Sequence, residues 1–319
     1  MSVNIKIMNS IRVLITDKCN AGCSNCINKA IRSGVTFMEY SRFTTIARYF
    51  HDNNVSRIRL MGGEPTIHPD FESIAKFSQN LFSRVTVFTN GLNENLLRFC
   101  PRENDGINYN ARFAQKMPKE YLMPDKPGSR TLSVVIDSRL NVQSMISTIS
   151  NVHEIIRKLK VSLTFDCTAN IFQQRNILLN KFNLLYDFCI SQGIEVIIDH
   201  GLPICFLYGS NVPTCKGFSK CSEDCAGMID ANANLRFCNQ NSLKAFPIFE
   251  GDKIKPFKLL NNWLQLAFYQ RQATVLKKIC VECPFYGEIC NGGCYIHHPI
   301  ISRKDILLNT ELPTVHLNK

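Results

Sequence analysis

Residues 16–26 read TDKCNAGCSNC, and this stretch decides the fold. It follows directly on an apolar run, Ile11–Ile15, that predicts a strand, and it spaces Cys19, Cys23 and Cys26 four and then three residues apart. A strand would send the three side chains to opposite faces, so they must lie on a loop curled around a ligand. Three converging thiolates suit an iron–sulfur cluster and, with no fourth partner nearby, leave one iron open to an exogenous ligand. The alternative is three buried free thiols.

Around this loop, residues 11–205 repeat a short apolar run followed by an amphipathic stretch, which predicts an α/β domain with parallel strands. The apolar spacing over Val142–Leu159 predicts a core helix. Gly106–Ala111 (GINYNA) could add a seventh strand, and a turn or edge strand is the alternative there. The six predicted strands are Ile11–Ile15, Arg57–Met61, Arg84–Thr89, Thr131–Asp137, Val161–Cys167 and Glu195–Asp199.

Glycine-containing segments follow the second and third predicted strands. The second ends in MGGEP, residues 61–65, and the third in FTNG, residues 88–91. Paired glycines at a strand end permit close approach of the backbone to a ligand, and the carboxyl ends of parallel strands are where such sheets place their sites. The glycine pair alone is also compatible with an ordinary turn.

In combination these segments resemble the radical S-adenosylmethionine (SAM) superfamily, whose signature is CxxxCxxC after the first strand and a GGEP-like motif after the second. The resemblance spans roughly residues 11–200. It implies an α/β fold, a partial (β/α)6 barrel, with a small cysteine-rich C-terminal domain behind it. It also implies that Cys19, Cys23 and Cys26 hold a [4Fe–4S] cluster whose open iron is chelated by the amino and carboxylate groups of SAM.

The resemblance also implies which residues contact SAM. Gly62, Gly63 and Glu64 match the segment that receives the SAM amino group. Asn25 stands where the family usually has an aromatic residue, and its backbone is expected to contact the adenine. Asn108 and Asn110 alternate to one side of any strand there, and they would reach the SAM ribose or carboxylate if that strand belongs to the barrel. The predicted cofactor-binding residues are Gly62, Gly63, Glu64, Asn25, Asn90 and Asn108.

After Pro203 the composition changes, which predicts a core domain over residues 1–203 and a second domain over 204–319. The last four cysteines read CVECPFYGEICNGGC, a spacing typical of a metal site, for which zinc is the alternative to a cluster. The predicted metal ligands of this second domain are Cys205, Cys215, Cys221, Cys225, Cys238, Cys280, Cys283, Cys290 and Cys294.

This region resembles the SPASM or Twitch extension of radical SAM enzymes, which implies one or two auxiliary [4Fe–4S] clusters. It departs from that pattern in three ways. Ala233 replaces the usual glycine, the gap between CxxC and CxxxC is six residues rather than five, and no cysteine follows Cys294. Two clusters need eight thiolates and nine are present, so Cys205 or Cys225 could supply the missing final ligand. Our hypothesis is that Cys225 is either this replacement ligand or a catalytic hydrogen-atom donor.

Composition limits the classes of protein. Of the 319 residues 45% are hydrophobic and 20% charged, and no apolar run approaches the roughly 18 to 20 residues of a membrane span. No signal peptide is recognisable, so we expect a cytoplasmic protein, where fifteen cysteines favour metal binding over disulfides. The formal charge of +11 is partly offset by cluster charge, so nucleic acid is not required as a partner.

The resemblance implies one-electron cleavage of SAM and a 5′-deoxyadenosyl radical that removes a hydrogen atom from the substrate. The SPASM-like tail favours a ribosomally made precursor peptide, modified by cross-linking, oxidation or epimerisation. The alternatives are a small-molecule dehydrogenase or epimerase acting on a sugar or aminocyclitol, and a non-catalytic zinc scaffold. An electron donor such as flavodoxin or ferredoxin is expected, and a membrane or nucleic acid is not.

Overall fold

The computed structural model describes residues 8–23, 26, 28, 37–163, 171–198, 227–236 and 245–264. Seven parallel strands lie side by side in chain order, as expected when each crossover brings the chain back to the next position in a parallel sheet. These strands are β1 (Ser10–Leu14), β2 (Arg57–Met61), β3 (Arg84–Thr89), β4 (Gly106–Asn110), β5 (Ser129–Ile136), β6 (Lys158–Leu163) and β7 (Glu195–Ile198).

Three short strands extend the sheet beyond β1. The strand β8 (Met228–Ile229) pairs in parallel with β1. The strand β9 (Asn234–Arg236) pairs antiparallel with β8, and β10 (Phe246–Pro247) pairs antiparallel with β9. A separate hairpin joins β11 (Phe249–Glu250) to β12 (Lys253–Ile254). The predicted domain boundary near residue 203 lies outside the described residues, and the division into two domains stays a prediction.

Helices cover one face of the sheet. Four of the described helices are α1 (Tyr40–Asp52), α2 (Phe71–Leu81), α3 (Val142–Ser150) and α4 (Ile171–Ser191). Short 3₁₀ segments take the place of longer helices after β3 and β4, at Glu94–Arg98, Ala111–Lys116 and Lys119–Leu122. Within the described part of the chain, no helix is both long enough and apolar enough to cross a membrane.

The mixed α/β architecture with its parallel sheet confirms the predicted fold class of a partial barrel. The segment Gly106–Ala111, for which a strand and a turn both stood open, is the central strand β4, hydrogen-bonded to β3 and β5. Most of the predicted C-terminal domain, with all nine of its cysteines, lies outside the described residues.

The predicted helix Val142–Leu159 is too long, because α3 ends at Ser150. Turns follow it, and Lys158 opens β6 in register with Thr131 of β5. Val152 and Ile156 are nevertheless buried in the same core as the helix. The apolar residues after α3 thus have the spacing of a helix although they lie in a turn and in the approach to a strand, which is why the sequence pattern predicted a longer helix. The same shift explains why β6 begins before the predicted start at Val161.

Alternation along the strands separates a core face from an inner face. Ile58, Leu60, Val85 and Val87 are fully buried and belong to one apolar core with α1 and α2. Residues between them point to the opposite side, where Leu14, Met61, Met228 and Phe88 form a second, small apolar cluster. Because this inner cluster lies near the carboxyl ends of β1 to β3, it forms the floor beneath the loops that carry the predicted site.

Candidate cofactor site

The three cysteines lie on the loop that leaves the carboxyl end of β1. Cys19, Cys23 and Cys26 are each partly exposed. The base of the loop is closed by an antiparallel bridge between Thr16 and Phe37, and by a hydrogen bond from the Met38 N–H to the Ile15 carbonyl oxygen, 2.8 Å. The loop therefore presents its thiols at the edge of the sheet where parallel strands carry their sites.

The glycine pair after β2 holds the first half of this loop. The Gly63 N–H donates to the Thr16 carbonyl oxygen at 2.8 Å, and the Glu64 N–H donates to the Lys18 carbonyl oxygen at 2.7 Å. A Cβ atom on Gly63 would lie 2.0 Å from that Lys18 oxygen, and one on Gly62 would lie 2.6 Å from the Thr16 oxygen. The glycines are required because the cysteine loop's own backbone approaches them.

The Glu64 carboxylate connects the loops after β2 and β3. It is 1% exposed. One oxygen, Oε1, accepts from the Thr66 hydroxyl and the Thr89 hydroxyl at 2.7 Å each and from the Thr66 N–H at 3.2 Å. The other, Oε2, accepts from the Asn90 N–H at 2.7 Å. Burial raises the pKa of this carboxyl above its ordinary value, and the hydrogen bonds from Asn90, Thr66 and Thr89 oppose that rise.

Asn90 follows β3 and reaches the cysteine loop. Its Nδ2 lies 2.7 Å from Asn20 Oδ1 and 3.9 Å from Cys19 Sγ. Its Oδ1 accepts from the Leu92 N–H at 2.9 Å. Gly91, with φ of +70°, makes the turn behind it. The structure thus brings Asn90, Glu64 and Cys19, three predicted site residues on three separate segments, into one connected network.

Asn108 lies apart from that network, on the inner face of β4. It is buried, and its Oδ1 accepts from the Ser133 hydroxyl at 2.6 Å. Phe88 and Thr131 flank it in register on the neighbouring strands. Asn110 is exposed, and its side chain accepts from the Arg112 N–H to begin a 3₁₀ segment. Of these two asparagines, Asn108 is the one buried on the inner face.

Sequence reasoning missed His68, which holds the far end of the cysteine loop. The ring is 1% exposed, and its Nε2 lies 2.9 Å from the Met38 carbonyl oxygen. Its Nδ1 accepts from the Asp70 N–H at 3.0 Å, which places the ring proton on Nε2. Burial lowers the pKa of His68 below its ordinary value, and the hydrogen bond to Met38 opposes that shift. The feature of the sequence that could have pointed to His68 is its position, three residues beyond Pro65 in the GGEPTIH segment.

Two asparagines were also missed. Asn28 Nδ2 donates to the Gly62 carbonyl oxygen at 2.7 Å, so the second half of the cysteine loop is fastened to the glycine pair as well. Asn20 accepts from Asn90 as described. Asn25 and the nine C-terminal cysteines, including Cys225, lie outside the described residues.

Three cysteine side chains on one loop are the donor type that an iron–sulfur cluster takes. In the described ranges, no group of three or more His, Cys, Asp or Glu side chains converges as the ligands of one ion do. A cubane does not require that convergence, because each thiolate binds a different iron atom. Three reduced, partly exposed thiols on one loop provide a three-ligand set of this kind.

Comparison with known proteins agrees with this geometry. Residues 13–110 match the model of the radical SAM superfamily. GTP 3',8-cyclase of Haemophilus influenzae (strain PittEE) is 35% identical over 86 residues, which are 25% of this chain and 26% of the cyclase. Molybdenum cofactor biosynthesis protein 1 of Homo sapiens is 33% identical over 97 residues, 29% of this chain and 15% of that protein. The chain thus matches about a quarter or less of the length of these curated relatives.

Solved structures resemble the chain over a longer range. Streptococcus suis SuiB bound to the precursor peptide SuiA covers 90% of this chain and 72% of SuiB, with a TM-score of 0.64 at 16% identity. The structure of anSMEcpe with bound AdoMet and Cp18Cys peptide covers 89% of this chain and 88% of anSMEcpe, with a TM-score of 0.61 at 16% identity. The match over residues 13–110, with the cysteine loop and the glycine pair inside it, shows that the chain contains a radical SAM domain.

Proposed function

We propose that this protein is a radical SAM enzyme that modifies a ribosomally made peptide. The observation that carries the proposal is the extent of the structural likeness, which runs over 90% of the chain and therefore well beyond the radical SAM domain. Two of the similar structures, SuiB and anSMEcpe, hold a peptide. The described sheet gives such a substrate an inner face beside the cysteine loop.

In this proposal Cys19, Cys23 and Cys26 hold a [4Fe–4S] cluster, and Gly62, Gly63 and Glu64 lie at the SAM amino group. Cluster and SAM together supply one-electron reduction and the radical that removes a hydrogen atom. The chain's own task is to position the cofactor and the substrate carbon and to exclude water. Flavodoxin or ferredoxin is the proposed type of electron donor.

The described part of the C-terminal region supports the SPASM or Twitch resemblance at one point. Ala233, which replaces the glycine of the pattern, lies in the turn between β8 and β9 with φ of +61°. That left-handed conformation favours glycine. Asp230 holds the turn together by accepting from the Asn234 N–H at 2.9 Å and from Arg236 Nε at 2.7 Å. The turn thus has the shape for which glycine is the usual residue.

We therefore expect the variant lacking Cys19, Cys23 and Cys26 to retain iron and sulfide. The reason is that the C-terminal cysteines are proposed to form one or two auxiliary clusters of their own. Iron and sulfide analysis after anaerobic reconstitution measures this directly, with the wild-type protein as the reference. A folded triple variant that contains zinc and no iron would contradict the auxiliary clusters and revive the zinc alternative for that region.

The proposed substrate class is tested by anaerobic incubation with SAM, a reductant and a short peptide encoded beside the gene. We expect 5′-deoxyadenosine together with a modified peptide. Mass spectrometry in D₂O distinguishes the outcomes, because oxidation or cross-linking removes hydrogen, whereas epimerisation incorporates deuterium without other change. SAM cleavage that depends on a sugar, an aminocyclitol or GTP, with no change in any peptide, would overturn the peptide assignment.

GTP is one of the small molecules in this test because GTP 3',8-cyclases are among the curated relatives. The identity with one of them covers only 25% of this chain and 26% of the cyclase. The structural likeness over the rest of the chain favours the peptide.

A further inference from the structure

The carboxamide of Asn90 is oriented by its surroundings. Asn90 is 6% exposed and follows directly on β3. Because its Oδ1 accepts from the Leu92 N–H, the amino end of the carboxamide must face the cysteine loop. There Nδ2 lies 2.7 Å from Asn20 Oδ1 and 3.9 Å from Cys19 Sγ. A fixed N–H donor therefore points at the first cysteine of the loop and at the residue beside it.

The backbone of Asn90 is held equally firmly. Its N–H donates to Glu64 Oε2 at 2.7 Å, and the other oxygen of Glu64 binds the hydroxyl groups of Thr66 and Thr89. Asn90 is thus fixed from the GGEP segment on one side and from its own turn on the other. A donor held in this way needs no reorganisation when the charge on the nearby sulfur changes.

We infer that Asn90 is a positioning residue for Cys19 that raises the reduction potential of the cluster on that cysteine. Hydrogen bonds to cluster sulfurs are among the factors that set the potential, because a donor stabilises the more negative, reduced state. Cys19 Sγ also accepts from the Ala21 N–H at 3.4 Å, so two donors face this one sulfur. The inference rests on the cluster of the proposed function and does not depend on the substrate.

The test is a redox titration of the reconstituted holoprotein followed by electron paramagnetic resonance. The core cluster is identified as the one whose spectrum changes when SAM is added. We expect Asn90→Ala to shift its midpoint potential to a more negative value and to slow reductive SAM cleavage. Asn90→Asp keeps the shape and the acceptor for the Leu92 N–H, and it is expected to shift the potential in the same direction.

Asn95→Ala is the matched control. Asn95 belongs to the same connection after β3, and its Nδ2 donates to the Thr66 carbonyl oxygen at 3.1 Å. Its removal perturbs the packing of the two loops while leaving the donors to Cys19 in place, so the midpoint potential should remain that of the wild type. A potential unchanged in Asn90→Ala, or shifted equally in Asn95→Ala, would overturn the inference.

The two proposals fail in different ways. If Asn90→Ala shifts the potential of the SAM-responsive cluster but the wild-type protein modifies no peptide, the peptide substrate alone is refuted. A wild-type protein that assembles no such cluster would refute both the proposed function and the role of Asn90.

Discussion

Alanine at Cys19, Cys23 or Cys26 is expected to abolish formation of 5′-deoxyadenosine from SAM. Each thiolate is one of only three protein ligands of the proposed core cluster, so its loss leaves too few to hold the iron. Mutation of a residue that only hydrogen-bonds to a metal ligand typically lowers metal affinity or activity roughly 10–100-fold. Loss of a direct ligand should lower them further. The measurement is 5′-deoxyadenosine released under anaerobic conditions with excess reductant, together with iron per chain.

Two other cysteines provide the controls. Cys100 is exposed, and Cys189 is buried in α4. Burial raises the pKa of the Cys189 thiol to about 12, so it remains a neutral, structural thiol near pH 7. Cys100→Ala and Cys189→Ala should therefore cleave SAM as the wild type does. Undiminished cleavage in any one of the three loop variants would remove the core cluster assignment.

Gly63→Ala is expected to have nearly as large an effect through geometry alone. The new Cβ would lie 2.0 Å from the Lys18 carbonyl oxygen, a backbone atom that cannot move without the cysteine loop. Overpacking of this kind typically costs about 1–3 kcal/mol of stability. The displaced loop should also retain less iron and cleave SAM more slowly. Urea unfolding and iron analysis measure the two consequences separately.

A graded series sharpens this prediction. Gly62→Ala places its Cβ 2.6 Å from the Thr16 oxygen. It should therefore lose less stability and less iron than Gly63→Ala. Gly22→Ala lies on the cysteine loop itself, where a Cβ meets nothing within 4 Å, and should retain both iron and stability. If Gly63→Ala and Gly22→Ala behaved alike, close backbone approach would not be the reason for the glycine pair.

Much of the fold followed from local patterns. Arg57–Met61 and Arg84–Thr89 are strands with the predicted bounds, because a β-branched run bounded by polar turns has little alternative in a parallel sheet. The cysteine spacing likewise required a loop after β1. The predicted helix over Val142–Leu159 was too long because Val152 and Ile156, which follow α3, are buried with a spacing that a helix also produces.

The sequence by itself determined the fold class, the loop with three cysteines and the glycine pair that accompanies it, since each depends on residue type and short spacing. Only the tertiary structure decided what those residues contact. Gly63 faces the cysteine loop's backbone, His68 closes the loop's far end, and Asn90 reaches Cys19 from 71 positions away. Such contacts form because parallel strands bring their carboxyl ends to the same edge of the sheet. Short sequence patterns do not predict them, because the contacting residues are far apart along the chain.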